Sequence, residues 1–147
     1  MSTVFERSDA DVTLGFVCVQ NAGRSQMATA FAERERDRRG LDGVEILTGG
    51  THPADAVHQV VVDAMNDVAI DLADRSPREI SAEELHSCDV VATMGCSTLE
   101  LDADVNVRDW DLDDPHGEDL EAVREIRDTV ERRVMRLFDE LKADRDG

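Results

Sequence analysis

The apolar run Leu14-Gly15-Phe16-Val17 ends on Cys18, and after five intervening residues the chain reads Arg24-Ser25. The run reads as a short buried strand, and Ser25-Gln26-Met27-Ala28-Thr29-Ala30-Phe31-Ala32 reads as the start of a helix. A strand that passes straight into a helix through the small residues Ala22 and Gly23 turns several backbone N–H groups into one concavity. Such a concavity holds a tetrahedral oxyanion. The positive end of the helix and Arg24 favour the thiolate form of Cys18. Arg24 presents a planar fork that meets two oxygens of an anion, which lysine does less well. Val19, Gln20, Asn21, Ala22, Gly23, Arg24 and Ser25 are therefore the expected oxyanion-binding residues, with Cys18 as nucleophile. The Gly-Lys-Ser/Thr ending of a nucleotide-triphosphate loop is absent, and Lys142 is the chain's single lysine.

Beyond this loop the chain alternates strand and helix patterns. A helix over about 25–39 is followed by Gly40 and Gly43 and then by a second strand, Val44-Glu45-Ile46-Leu47-Thr48. After the loop from Thr51 to Ala56, Val57, Val60, Val61, Ala64, Met65 and Val68 recur at helical spacing. Ser81-Ala82-Glu83-Glu84 has a capping-box pattern, Asp89 to Met94 is a third buried strand, and Val105 to Trp110 a short fourth. Leu120, Val123, Ile126, Val130, Val134, Leu137 and Leu141 mark a long amphipathic helix. The expected class is α/β, three layers with a four-stranded parallel, doubly wound, flavodoxin-like sheet, which binds ligands at the carboxyl ends of its strands. At 147 residues one domain is expected, over 12–143, with 1–11 and 144–147 as flexible termini.

Composition narrows the partners. The formal net charge is −18, and the 34 acidic residues are spread along the whole chain. That distribution excludes an acidic tail and a basic nucleic-acid surface, so no nucleic acid is expected as a partner. Fifteen arginines against one lysine, with no tyrosine, resembles proteins from salt-loving organisms, in which dispersed acid is a solvated surface. Residues 1–12 lack the basic start and apolar core of a signal peptide, and no apolar run approaches the ~20 residues of a membrane helix. A cytoplasmic protein with reduced thiols and no membrane partner is expected.

Further candidates lie near the strand ends. Asp113-Asp114-Pro115 follows the fourth strand, where a carboxyl group can protonate a leaving oxygen and proline stiffens the loop; the other reading is two more surface aspartates among 21. Cys96 follows the third strand, at the same sheet edge as Cys18. A second thiol there can attack a sulfur-bound intermediate, or it is a structural thiol. Cys88 reads as a core residue, and Trp110 as core packing against the last helix. His52, His58, His86 and His116 show no ligand spacing, so no metal is expected.

Taken together, Cys18 through Ser25 and Asp114-Pro115 resemble the low-molecular-weight protein tyrosine phosphatase superfamily, and within it the thioredoxin-coupled type of arsenate reductase. The resemblance runs from about Val12 to Leu141 and implies a phosphotyrosine phosphatase I-like fold. It implies Cys18 as nucleophile, Arg24 on the oxyanion, Ser25 stabilising the thiolate, Asn21 shaping the loop and Asp114 as general acid. Gln26, where the phosphatases typically carry proline, is similar to the reductase branch. So are Asp109-Trp110-Asp111-Leu112-Asp113-Asp114-Pro115, followed by His116 rather than tyrosine, and Thr93-Met94-Gly95-Cys96 with Cys96 as resolving thiol. The chain departs from the three-cysteine members at Ser97 to Asp102, which contains no further cysteine. Either Cys18 and Cys96 form a disulfide that is reduced directly, or a small thiol attacks the Cys18 adduct. The implied substrate is arsenate or phosphate. No cofactor is required beyond an external thiol reductant, such as thioredoxin, glutaredoxin or a low-molecular-weight thiol. The alternatives are a phosphatase acting on phosphotyrosine or small aryl phosphates, and an inactive oxyanion-binding module.

Overall fold

The computed structural model describes residues 12–41, 43–94, 106–110, 112–113, 115 and 117–146, with side chains as far as 141. Of the residues singled out above, Cys96, Asp114 and His116 lie outside the described residues, as do residues 1–11 and Gly147. The strands are β1 (Val12–Cys18), β2 (Val44–Gly50), β3 (Val90–Met94) and β4 (Asn106–Asp109). The helices are α1 (Arg24–Arg39), α2 (Gln59–Asn66), α3 (Ala82–His86) and α4 (Leu120–Asp146). All strand pairs are parallel, in the order β2-β1-β3-β4. The expected α/β architecture is the one observed.

Burial explains why β1 is apolar along its length rather than at alternate positions. Leu14, Phe16 and Cys18 belong to one cluster, packed with Met27 and Phe31 of α1, Val61 and Met65 of α2, and Val123, Val130, Val134 and Phe138 of α4. Val17 belongs to a second, smaller cluster with Ile80, Leu85, Cys88 and Val91. Both faces of the strand are covered, as parallel sheets require. Gly15 faces Cys88, and a Cβ there would lie 2.9 Å from its Sγ, so the missing side chain makes room for the thiol. Cys88 donates to the Glu84 carbonyl at 3.4 Å. Burial, followed by the nearby carboxylates of Asp89, Glu84 and Glu45, pushes its pKa up to about 11. Trp110 is buried against Phe16, ring centroids 6.0 Å apart, in the cluster that α4 completes.

Element ends differ from the sequence expectation where backbone chemistry decides them. The pattern over Val57 to Val68 yields a helix only from Gln59, because His58 is extended (φ −61°, ψ 134°); Val57 and Val68 pack on the core from outside it. α1 ends on Gly40 in the left-handed conformation, with Arg36, Arg38 and Arg39 in its last turn beside the negative helix end. α4 continues past Leu141 to Asp146. The capping box at Ser81 and Glu84 is present in both directions. No helix among the described residues is long and apolar enough to cross a membrane.

The strand order reverses between β1 and β3. The chain leaves β1 toward β2 and later crosses back to lay β3 on its other side. Cys18 is the last residue of β1 and pairs in register with Met94, the last of β3. The cysteine therefore stands at the crevice where this topology places its ligands.

Candidate active site

The loop from Cys18 to Ser25 is shaped from outside by the segment that follows β2. Thr51 N–H donates to the Cys18 carbonyl (3.2 Å), His52 to Val19 (2.8 Å), Ala54 to Gln20 (2.9 Å) and His58 to Ala22 (3.0 Å). A trans peptide points its C=O and the next N–H in opposite directions, and no peptide here is cis. Four carbonyls held outward thus turn the N–H groups of Val19, Gln20, Asn21 and Gly23 inward. The Asn21 N–H shows the result, reaching Cys18 Sγ at 3.2 Å. Gly50 allows the strap to lie this close, because a Cβ there would stand 2.5 Å from the Val19 carbonyl oxygen.

Asn21 sits at the centre with φ +53°, a left-handed conformation that asparagine tolerates better than most residues. Its side-chain amide donates to Ser25 Oγ at 2.7 Å and to Thr48 Oγ1 at 3.0 Å. Gln26 Nε2 donates to both the Asn21 carbonyl and Oδ1, each at 3.1 Å, and the Arg78 backbone N–H reaches the same Oδ1 at 3.0 Å. Ser25 Oγ lies 2.9 Å from Cys18 Sγ. A thiolate has no hydrogen to give, so in that form of Cys18 the Ser25 hydroxyl is the donor to the sulfur while its oxygen accepts from Asn21. Two donors, the Asn21 N–H and the Ser25 hydroxyl, thus converge on Sγ.

Arg24 is the first residue of α1 and is 9% exposed. Its Nη1 donates to the Leu112 carbonyl at 3.0 Å, which ties the segment after β4 to the loop. Pro115 closes over the same place: a Cβ on Gly23 would lie 2.7 Å from Pro115 Cγ. No side chain caps α1, so its first-turn N–H groups are left toward the loop. Cys18, Val19, Gln20, Gly23, Arg24, His58 and Pro115 line a cavity of 190 Å³ above the sulfur. This can hold an anion against a nucleophile.

Residues 13–146 match the family model described as low molecular weight phosphotyrosine protein phosphatase. The chain belongs to that family. A provisionally named arsenate reductase of Halobacterium salinarum is 67% identical over 139 residues, covering 93% of this chain and 98% of that one. The glutaredoxin arsenate reductase of a Synechocystis species is 32% identical over 127 residues, covering 84% of this chain and 93% of its own. Among solved structures, the thioredoxin-dependent arsenate reductase of Corynebacterium glutamicum superposes with a TM-score of 0.73. Its identity is 23%, over 96% of this chain and 69% of that one, which speaks for the shared fold.

Within this phosphatase-family frame, the residues expected from sequence divide by position. Cys18, Val19, Gln20, Gly23 and Arg24 reach the cavity, whereas Asn21, Ala22 and Ser25 are wholly buried and build its floor and back. Asp113 is exposed. Sequence reasoning missed the roles of Thr48, Arg78 and the Leu112 carbonyl, and it read residues 51–56 of the strap only as a loop and Gly50 to Asp55 only as a mark of lineage. It took Gln26 only as a mark of lineage, although this side chain is 1% exposed and bonds the loop twice. Among the described residues, no three His, Cys, Asp or Glu side chains are grouped to hold a metal ion.

Proposed function

We propose that this member of the low molecular weight phosphatase family is an arsenate reductase. The observation that carries the reading is the Cys18 sulfur at the floor of an arginine-walled cavity, receiving hydrogen bonds from Asn21 and Ser25. Arsenate enters with its oxygens on the inward N–H groups and on Arg24. The thiolate attacks arsenic and an As–O bond breaks. The departing oxygen leaves as water once protonated, a task that falls to Asp114 beside Pro115. A second thiolate then attacks Cys18 Sγ. An S–S bond forms, the S–As bond breaks and its electron pair stays on arsenic, which leaves as arsenite. The two electrons come from the two thiols.

Cys96 is the proposed second thiol. Cys18 pairs with Met94, so the chain leaves β3 beside the nucleophile, and Cys96 follows two positions later in sequence. A disulfide needs Cα atoms roughly 4.4–6.8 Å apart. An external thiol, carried by thioredoxin, glutaredoxin or a small molecule, restores the enzyme in the cytoplasm. The relatives' names support reduction rather than ester hydrolysis. The cavity lining agrees with this: among its described residues there is no Phe, Tyr or Trp to stack on a phenyl ring.

The test compares arsenate turnover, with thioredoxin, glutaredoxin or a small thiol as donor, against hydrolysis of an aryl phosphate. Arsenite formation is expected, together with a Cys18–Cys96 disulfide seen by mass spectrometry as a loss of two hydrogens. Cys96→Ser should stop arsenate turnover and spare aryl phosphate hydrolysis, because water needs no second thiol. Full arsenate turnover by Cys96→Ser with a small thiol hands the second step to the external thiol. Aryl phosphate hydrolysis by wild-type protein with no arsenate turnover under any donor overturns the reading in favour of a phosphatase.

A further inference from the structure

Gln26 is buried in the first turn of α1, against the back of the anion loop, and the proposed chemistry gives it no task. Its hydrogen bonding is one-sided. Nε2 lies 3.1 Å from the Asn21 carbonyl oxygen and 3.1 Å from Asn21 Oδ1, while Oε1 is buried and finds no partner among the described residues. A backbone carbonyl only accepts, so the Gln26 atom that faces it is the amide nitrogen and the orphaned atom is the oxygen. An amide oxygen buried without a donor costs stability. An apolar side chain of the same length would fill the space without that cost, so packing does not account for the amide. What the amide holds does.

The other bonds around Asn21 have fixed directions as well. Its Oδ1 accepts from Gln26 and from the Arg78 backbone N–H at 3.0 Å, which leaves its two amide hydrogens for the hydroxyls on the opposite side. Thr48 Oγ1 gives its own hydrogen to the Phe16 carbonyl at 3.0 Å and accepts one of them. Ser25 Oγ accepts the other at 2.7 Å, and with Cys18 as thiolate its hydroxyl donates to Sγ at 2.9 Å. Gln26 also holds the carbonyl of Asn21, whose left-handed backbone aims its N–H at the same sulfur, 3.2 Å away. Both donors to the sulfur therefore depend on the residue that Gln26 holds at two atoms.

We propose that Gln26 is a positioning residue for the Cys18 thiolate: by clamping the carbonyl and the side chain of Asn21, it keeps the Asn21 N–H and the Ser25 hydroxyl on Sγ. The inference rests on the reading of Cys18 as the nucleophile, whichever oxyanion it attacks. Hydrogen bonds to the charged form of an acid favour that form, so loosening these two raises the pH at which Cys18 becomes reactive. Among the described residues, Arg24 and His58 are the charged or titratable side chains that share the cavity with Cys18. Its strand partners, Gly50 of β2 and Met94 of β3, carry no charge. No variant below alters any of these four.

The pH dependence of Cys18 alkylation tests this without arsenate. Wild type, Gln26→Met and Gln26→Glu are treated with uncharged iodoacetamide across an acid-to-alkaline series, and the Cys18 adduct is followed by peptide mass spectrometry, apart from Cys88 and Cys96. Gln26→Met keeps the length of the side chain and removes the donor. It exchanges one orphaned oxygen, Oε1, for another, the Asn21 carbonyl, so the urea midpoint should change little. The alkylation midpoint should rise by about half a pH unit or more, roughly a threefold change in the ionisation constant. Gln26→Glu should raise it further, because a carboxylate turns an oxygen toward the two Asn21 oxygens and sets a negative charge behind the sulfur. In protein that also carries Ser25→Ala, the Gln26→Met shift should shrink, since one of the two routes to the sulfur is gone. An alkylation midpoint unmoved in Gln26→Met, whatever the urea midpoint does, overturns the proposal and leaves Gln26 as packing. A shift that Ser25→Ala leaves undiminished overturns it as well. Where Gln26→Glu does not fold, Gln26→Met decides alone. A shifted midpoint in a protein that turns over no arsenate with any donor would leave this inference standing and remove the reductase reading.

Discussion

Arg24 illustrates how much one side chain is asked to do at this site. Its Nη1 holds the Leu112 carbonyl, and the rest of the same planar fork borders the cavity above Cys18. The three N–H donors of a lysine ammonium radiate from one nitrogen on a flexible stem, so it cannot set two parallel hydrogen bonds on an anion while reaching the Leu112 carbonyl, as a planar guanidinium does. Arg24→Lys should therefore lower kcat/KM for arsenate at least about a hundredfold, the scale of losing one preorganised donor to an oxyanion. Steady-state kinetics with wild-type-like circular dichroism is the check, and turnover within a few-fold of wild type would mean that the anion is held elsewhere. Cys88 is the contrasting thiol. It is buried, bonded to the Glu84 carbonyl, and its pKa is raised to about 11 from an ordinary value near 9. An acid whose folded pKa is raised binds its proton more tightly in the native state. Its contribution to stability is complete below the unfolded value and is lost as pH rises from about 9 to 11. The slope in that window is up to about 1.4 kcal/mol per pH unit. Urea denaturation at pH 8 and pH 10.5 should show wild type losing more stability than Cys88→Ser, which keeps a donor for the Glu84 carbonyl without the titration. Parallel losses would remove Cys88 as the cause.

At the scale of elements, the anion loop is not self-supporting. It keeps its shape because the strap of residues 51–58 takes four of its carbonyls and the end of β2 comes up against its back. Gly50 measures how close that approach is: an added Cβ would lie 2.5 Å from the Val19 oxygen and 3.0 Å from the Asn21 nitrogen, both backbone atoms that cannot rotate away. Gly50→Ala must push the loop, and a displacement near 1 Å at a reacting centre costs on the order of a hundredfold in rate. Gly40→Ala is the counterpart. Gly40 has φ +66° with nothing within 4 Å of its would-be Cβ, so that variant should lose about 1 kcal/mol of stability and keep its activity. Measuring kcat/KM beside the urea midpoint for both variants separates the two effects, and equal activity in Gly50→Ala would show that the strap does not shape the site. The contrast also explains what could be read from the chain beforehand. Cys18 through Ser25 is contiguous, and its strand, small residues and helix start leave a visible pattern; so do the apolar stripe of α4 and the capping box of α3. The strap's role left none, because its contribution is made by backbone N–H groups that every residue except proline possesses. Arg78 escaped for the same reason: it serves Asn21 through its own backbone nitrogen, far along the sequence. Gln26 was legible only as a mark of lineage, because its structural role depends on burial that turns its amide inward onto the loop.

The whole molecule places this cationic pocket in an anionic body. Arginines bridge separate elements, as Arg34 of α1 does to Glu131 of α4, Arg108 of β4 to Glu140 of α4 at 2.8 Å, and Arg124 of α4 to Asp67 at 2.7 Å. With 34 acidic residues against 16 basic ones, more than half of the carboxylates still have no cation of their own to meet. Two consequences of added salt oppose each other. Screening weakens the surface ion pairs, which are worth at most about 1 kcal/mol each, and it weakens the mutual repulsion of the unpaired acids. A net charge of −18 makes repulsion the larger sum, so the melting temperature should rise as KCl increases from about 0.05 M to about 1 M, while the Debye length shrinks from roughly 14 Å to roughly 3 Å. The same field opposes the approach of an arsenate dianion to Cys18. Screening should therefore lower KM for arsenate over that range and leave kcat less affected, because the donors that act on the bound anion are short-range and buried. Kinetics with arsenate in a KCl series, repeated with sodium chloride and with tetramethylammonium chloride at matched ionic strength, distinguishes screening from an ion-specific effect, since screening depends on ionic strength alone. A KM that climbs with salt would show that the pocket's own cation, Arg24, outweighs the surrounding acid at the distance where the substrate is captured.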